Sequence, residues 1–211
     1  MQCRRTANAG VLLTLDGVTV LLDGVCRQVG GYYATPEPER RQLLACMPDV
    51  AAFTHSHLDH FDRSFAQEYY NKTLRSILGP EGLLKSGLCL DAVTVGQVRV
   101  TPISTRHIGK AGQTVPHVSY LIEGSKRILF AGDAAPVQLR GIHADVLIAP
   151  YAYAVTAAGW KAAAQLAEQL ILLHLPDPEQ DPHGLWQAVQ AVTQTPGPKL
   201  YIPEIGQTVV L

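Results

Sequence analysis

The stretch Val50-Ala51-Ala52-Phe53-Thr54-His55-Ser56-His57-Leu58-Asp59-His60 decides the reading of this chain. It opens as a short apolar run, the pattern of a buried strand. It closes with four side chains able to hold a metal ion within six positions: His55, His57, Asp59 and His60. At the end of an extended strand, residues two apart point to the same side, so His55 and His57 can grip one divalent ion together. Asp59 and His60 follow a short turn and can aim at a second ion nearby. Imidazole with carboxylate suits zinc first, with manganese or iron(II) as alternatives. The competing reading is a polar loop with chance histidines. It leaves unexplained why all four positions fall at a strand end.

Upstream, residues 9–23 predict a β-hairpin. Val11–Leu15 and Val18–Leu22 are β-rich runs joined by Asp16-Gly17, a strong hairpin signal. Residues 29–37, with Gly30-Gly31 and Pro36, read as a loop, and residues 39–47 as a helix. Downstream, residues 61–70 read as a helix, 76–78 as a strand, and 92–103 as two short strands around Gly96. A second hairpin pattern, 118–123 then 127–131 across Gly124-Ser125, runs into Gly132-Asp133. Residues 145–149 are a buried-strand candidate and 155–168 an Ala-rich helix. Residues 170–173 form an apolar run ending at His174, 185–192 a last helix, and 201–202 and 209–211 terminal strands. Strands and helices alternate, with two runs of strands, so the class is α/β. No repeat or linker divides the chain, and residues 1–211 are expected to form one domain.

A chain of 211 residues can bury a sizeable core without disulfide staples. Its 17 basic and 18 acidic residues leave a net charge of -1, which is not the footprint of a general nucleic-acid binder. A small-molecule partner is therefore expected before a nucleic acid. Cys3, Cys26, Cys46 and Cys89 are scattered with no CxxC pair, and are expected as reduced thiols in an intracellular protein. The longest apolar region, residues 146–160, contains Pro150 and Gly159 and falls short of the ~20 residues a membrane span needs. Arg4-Arg5 precede an apolar stretch that Asp16 interrupts with no cleavage-like site after it, so no targeting segment is expected there. No membrane partner is expected, and the cytoplasm is the expected location.

The run Thr54-His55-Ser56-His57-Leu58-Asp59-His60 after an apolar strand resembles the Thr-His-x-His-x-Asp-His motif of the metallo-β-lactamase-fold superfamily. Members carry a third His downstream, then an Asp after a strand, then a late His. Here these look like His107 in Thr105-Arg106-His107, Asp133 in Phe130-Ala131-Gly132-Asp133, and His174 in Leu172-Leu173-His174. The resemblance spans residues 9–174 and beyond. It implies a four-layer αββα sandwich: two mixed β-sheets face to face, helices on both outer faces, and ligands at one edge. It also implies two divalent metal ions. His55, His57 and His107 would hold one, Asp59, His60 and His174 the other, and Asp133 would bridge them. A bridging carboxylate lowers the net positive charge between two cations, and a shared hydroxide is then available at neutral pH.

The activity implied is metal-dependent hydrolysis, with Asp59 as the catalytic residue that also orients the attacking water. The fold hosts hydrolysis of lactams, lactones, thioesters, phosphodiesters and RNA, and also redox chemistry, so the substrate does not follow from it. The compact chain and the late Leu-Leu-His resemble the small members that include ascorbate-6-phosphate lactonase. A small-molecule ester, lactone or phosphodiester is accordingly expected. A nuclease, a non-hydrolytic metal-binding protein and a mononuclear iron oxygenase are the alternatives.

Several positions stay open at this level. His117 competes with His107 for the third-ligand role, and otherwise lies near the substrate or is a buried polar side chain. His143 reads as structural and His183 as part of a loop. Asp23, closing the first hairpin, either supports the ligands from behind or is a turn residue. Arg106 and Lys110 flank His107 and either meet an anionic substrate or are solvated. Asn8, Tyr32, Tyr33, Asn71 and Tyr120 are candidates to line a cleft.

Overall fold

The structure is a computed structural model, and it describes residues 1–109 and 115–211. Strands β1 (Gln2–Arg5), β2 (Val11–Leu15) and β3 (Val18–Leu22) form an antiparallel meander. Its second turn places Asp16 at φ 51° and Gly17 at φ 81°, the left-handed pair that a tight two-residue hairpin requires. Helix α1 (Glu37–Cys46) leads to β4 (Val50–Ala52) and α2 (Arg63–Thr73). The Asp62 carboxylate caps α2 by accepting from the Phe65 N–H at 2.8 Å. The helix therefore starts two residues later than the expected residue 61. Strands β5 (Ile77–Leu78) and β6 (Leu88–Cys89) complete this part of the chain.

Strands β7 (Val93–Val95), β8 (Val98–Arg106), β9 (Pro116–Glu123) and β10 (Arg127–Phe130) form the second meander. Then come β11 (Ala144–Pro150), α3 (Ala157–Leu166), β12 (Ala167–Leu173), α4 (Leu185–Val192), β13 (Lys199–Tyr201) and β14 (Thr208–Val210). The strands make two seven-stranded sheets, ordered β14-β1-β2-β3-β4-β5-β6 and β13-β12-β11-β10-β9-β8-β7. Both are mixed. In each, three antiparallel pairings give way to three parallel ones, at β3–β4 in the first sheet and at β10–β11 in the second.

Strand alternation sorts the side chains into layers. Val20 and Leu22 of β3, Ile128 and Phe130 of β10, and Val146 and Ile148 of β11 meet between the sheets in one core. Leu21, Ala51 and Ile77 face outward onto Leu43 of α1 and Phe65 and Tyr69 of α2. Leu129, Leu147, Leu170 and Leu172 face outward onto Trp160, Ala163 and Leu166 of α3 and Val189 of α4. Helix, sheet, sheet and helix are thus stacked in four layers, the αββα sandwich. These central strands are buried on both faces, which is why they read in sequence as near-continuous apolar runs rather than as alternation.

Three differences from the sequence expectation stand out. The helix expected over 155–168 ends at Leu166, and Ala167 is already extended at φ -158°, ψ 158°. Parallel pairing of Ala167 with Ala144 and onward along β11 overrides the helix preference of the Ala-rich run. Strand β1 was not expected, because Arg4 and Arg5 hide its pattern. Arg5 is nonetheless buried, donating to the carbonyls of Ala7, Asn8 and Pro203. The short β6 also lacks a local signal. Among the described residues, no helix is long and apolar enough to cross a membrane, and the four cysteines are free.

Candidate metal centre

Beyond β4, the Phe53 N–H still donates to the Leu78 carbonyl at 2.9 Å, so His55 leaves the sheet from a held strand. The chain then turns on His57, whose carbonyl accepts from the N–H groups of His60 at 3.0 Å and Phe61 at 2.9 Å. The Leu58 carbonyl is pinned by the Arg27 N–H at 2.7 Å. The result is a rigid loop with His55, His57, Asp59 and His60 on its inner side. The other half adds His107 just past β8, Asp133 just past β10 and His174 just past β12. His174 sits at φ 60°, a left-handed conformation rare for a non-glycine residue, and its N–H donates to the Asn8 carbonyl.

The side chains converge in two sets. Donor atoms of His55, His57 and His107 lie within 4.8 Å of one another, as do those of Asp59, His60 and His174. Asp133 stands between them. One carboxylate oxygen is 3.5 Å from His60 Nε2; the other is 3.4 Å from His107 Nε2 and 3.7 Å from His174 Nε2. Asp59 reaches His174 Nε2 at 3.2 Å. The structure thus brings all seven expected site residues into one cluster.

This cluster fits divalent cations. Buried polar atoms in proteins nearly always have partners. Here His60 Nε2, both ring nitrogens of His107 and of His174, and one oxygen of Asp133 are buried with no hydrogen-bond partner among the described residues. The Nε2 atoms of all three rings lie within 3.7 Å of the Asp133 carboxylate, and imidazole nitrogens with carboxylate oxygens are the donor types that zinc, manganese and iron accept.

Asp23, His55 and His60 form a third close set, but Asp23 has no oxygen to spare. One oxygen accepts from the Thr54 N–H at 2.7 Å. The other accepts from the Thr54 hydroxyl at 2.6 Å and faces His60 Nδ1 at 2.8 Å. Asp23 therefore stands behind the ligands, fixing the Nδ1–H tautomer of His60 and leaving Nε2 for the centre.

The electrostatics follow from burial and neighbours. Burial pushes the Asp133 carboxyl up, but His60, His174 and His107 outweigh it and hold it well below the usual carboxylate range. Asp59 is shifted downward in the same way, burial being outweighed by His174 and His60. Burial lowers His60, but Asp133 and Asp23 prevail and raise it well above an ordinary histidine. Burial drives His55 down, with His60 adding to the shift, and lowers His57, with His107 adding.

The remaining candidates separate clearly. His117 is buried, and its Nε2 accepts from the Asp133 N–H at 3.0 Å, so it is not in either donor set; His107 is. Burial pushes the His117 imidazole down to about 3, consistent with a neutral ring. Tyr32 packs edge-on against His174 with ring centres 4.5 Å apart. Tyr120 is fully buried, donating to the Phe53 carbonyl, and Asn71 is an exposed residue of α2, so neither lines a cleft. Asn8 is fully buried with both side-chain amide atoms unpartnered among the described residues, and Tyr33 lies beside Arg5. His143 and His183 are exposed and remote from the cluster. Arg106 is exposed and alternates with Thr105 and His107 along an extended segment, so it leaves on the opposite face. Lys110 lies outside the described residues. Sequence reasoning missed Tyr151, 5.9 Å from His174, and also Thr105 and Ser119, which bond to each other and, through Thr105, to His117. Only strand register reveals those three.

Comparison with solved structures adds the fold. A possible metal-dependent hydrolase from Veillonella parvula superposes with a TM-score of 0.71 at 15% identity, over 100% of this chain and 99% of that one. The metallo-β-lactamase fold protein YhfI from Bacillus subtilis gives 0.66 at 16% identity, over 99% and 98%. The chain has the metallo-β-lactamase fold. An isothiocyanate hydrolase from Delia radicum gut bacteria shares this fold at a TM-score of 0.68 and 16% identity, over 100% and 99%. No protein-family model and no curated protein sequence matches the chain.

Proposed function

We propose that this metallo-β-lactamase-fold chain is a binuclear metal-dependent hydrolase acting on a small-molecule ester, lactone or phosphodiester. The observation that carries this reading is the pair of donor sets with the Asp133 carboxylate between them, surrounded by orphaned buried nitrogen and oxygen atoms. His55, His57 and His107 would hold one ion, Asp59, His60 and His174 the other, and Asp133 both. Zinc is the first choice, manganese or iron(II) the alternatives. When bound, such ions lower the pKa of water enough to provide hydroxide near neutral pH and polarise the bond under attack.

The chain's own residues then have distinct tasks. His60 keeps its proton on Nδ1, facing Asp23, and presents Nε2. Asp59, close to His174 and kept ionised, is placed to orient a water and accept its proton. Tyr32 and Tyr151 pack edge-on against His174. The ion pairs at the centre are all His–Asp among the described residues, and the net charge is -1. Both favour a small substrate over a nucleic-acid strand, whose backbone calls for Lys and Arg contacts.

The test is elemental analysis of purified protein, followed by a substrate panel. About two equivalents of metal per chain are expected, lost in a His57→Ala, Asp133→Ala double variant. The panel would hold lactones, thioesters, phosphodiesters and, given the structural neighbour, isothiocyanates. A single equivalent of iron would move the reading to a mononuclear oxygenase. No metal, even after reloading with zinc or manganese, would sink it.

A further inference from the structure

We propose that His117 is a positioning residue for Asp133, acting through a one-way hydrogen-bond relay with Thr105 and Ser119. The proposal rests on the metal-centre reading above. The direction of a carboxylate is set first by the backbone that carries it, and His117 holds that backbone. The Asp133 N–H donates to His117 Nε2 at 3.0 Å. On its other side, the Asp133 carbonyl accepts from the N–H of Ile108, the residue after His107, at 2.7 Å. The Asp133 residue is thus clamped at both its peptide groups.

The proton positions are forced from the far end of the relay. The Ala131 carbonyl can only accept, so the Ser119 hydroxyl, 2.7 Å away, must donate to it. With its single proton spent, Ser119 must accept from the Thr105 hydroxyl, 3.2 Å away. Thr105, its own proton spent, must accept from His117 Nδ1 at 2.7 Å. The imidazole then carries its proton on Nδ1, and Nε2 is the acceptor that the Asp133 N–H requires. Thr105 and His117 can meet because they are direct cross-strand partners in β8 and β9. The relay ends on Ala131 and begins on Asp133, so it pins the turn Ala131-Gly132-Asp133 at both ends.

Space filling alone does not account for this arrangement. Gly132 sits at φ 53°, and a Cβ there would stand 2.9 Å from His117 Nε2 and 2.5 Å from Thr54 Cγ2. The turn is bare of side chain where the ring nitrogen reaches the Asp133 N–H. A neutral acceptor also suits the place: a carboxylate in the same position would add a second negative charge beside Asp133.

Zinc affinity, measured by titration against a chromophoric chelator, tests the relay without reference to any substrate. His117→Phe keeps a ring but removes the acceptor, and is expected to weaken zinc binding about 10–100-fold, the range for groups that orient metal ligands. His117→Gln offers an acceptor and a donor on one side chain and should recover most of that loss. The ligand-field bands of the cobalt-loaded protein should change in His117→Phe and return in His117→Gln. A folded His117→Phe variant with wild-type zinc affinity would overturn the proposal, as would a Gln variant no better than Phe. Should His117→Phe fail to fold, Thr105→Val decides. It preserves shape, removes the acceptor for Nδ1–H, and should weaken zinc in the same direction by a smaller factor; unchanged affinity overturns the relay. A wild-type protein that takes up no zinc would instead overturn the metal-centre reading, and the role of His117 with it.

Discussion

The two sheets repeat one plan and use it differently. Each runs through three antiparallel pairings into three parallel ones, and each places an aspartate just past the strand where the change occurs, Asp23 after β3 and Asp133 after β10. Both turns pass through left-handed backbone, at Asp23 itself with φ 45° and at Gly132 with φ 53°. Yet Asp23 is fully buried with both oxygens engaged, while Asp133 keeps a buried oxygen without a hydrogen-bond partner among the described residues. His60 lies between them, its Nδ1 2.8 Å from Asp23 and its Nε2 3.5 Å from Asp133. One half of the molecule thus builds the support and the other faces the centre with the same residue type. Equivalent positions on a repeated scaffold are given different work by their hydrogen-bond partners alone.

The strongest way to break this comparison is to remove each aspartate in turn. Asp133→Ala is expected to abolish retention of two metal ions through dialysis, as read by elemental analysis. Asp23→Ala leaves the Thr54 N–H and His60 Nδ1 without a partner inside the core, and leaves the Thr54 hydroxyl only His55 Nδ1 at 2.9 Å. Breaking a buried charged network of this kind costs roughly 3–5 kcal/mol, readable as a lower denaturation midpoint of the metal-free protein. Its metal affinity should fall about 10–100-fold rather than vanish. Equal metal loss in both variants, or an unchanged midpoint for Asp23→Ala, would end the division of labour.

Histidines sharpen the contrast through pH. His60, flanked by both aspartates, titrates well above its ordinary value, whereas burial carries His117 down to about 3. Between about pH 6.5 and 3 the unfolded chain protonates His117 and the native chain does not, so unfolding takes up a proton and stability falls as pH falls. The raised His60 works on the other limb. Its contribution is fully present below about pH 6.5 and is lost as pH rises toward its native value. Metal-free protein should therefore be most stable near pH 6.5, with an acid limb on the order of a few kcal/mol. Urea titrations from pH 4 to 8 after chelation check this, and a flat acid limb would contradict the neutral, buried ring.

The same asymmetry explains what the sequence could disclose. His55, His57, Asp59 and His60 were legible because one loop carries them all, and local spacing suffices. His107, Asp133 and His174 each stand alone at a strand end, so they became readable only through their order along the chain in a resemblance. Spacing alone does not separate the supporting roles of Asp23 and His117 from their alternatives, and Thr105 and Ser119 give no signal, because their partners are fixed by sheet register rather than by neighbours in sequence. The α/β class was legible from the succession of strand and helix runs, and the four layers through the resemblance; that Leu21 faces the helices while Val20 and Leu22 face the other sheet was not, because the run is apolar throughout. The junction of α3 and β12 was not, since no Gly or Pro marks it and pairing with β11 sets the boundary.

Two glycines differ in a way that isolates one physical cause, and Gly17→Ala carries the smallest expected effect. Gly17 in the first hairpin and Gly132 before Asp133 both have positive φ, 81° and 53°. A Cβ at Gly17 would meet nothing within 4 Å, while at Gly132 it would press on Thr54 and His117. Gly17→Ala should thus cost about 1–2 kcal/mol, the price of left-handed backbone alone. Gly132→Ala should cost that and a further ~1–3 kcal/mol of overpacking. It should also weaken zinc binding, because the ring must withdraw from the Asp133 N–H, whereas Gly17→Ala should leave zinc affinity unchanged. If denaturant midpoints show the same loss in both variants, His117 does not press on the turn. The close approach on which the positioning of Asp133 depends would then have to be given up.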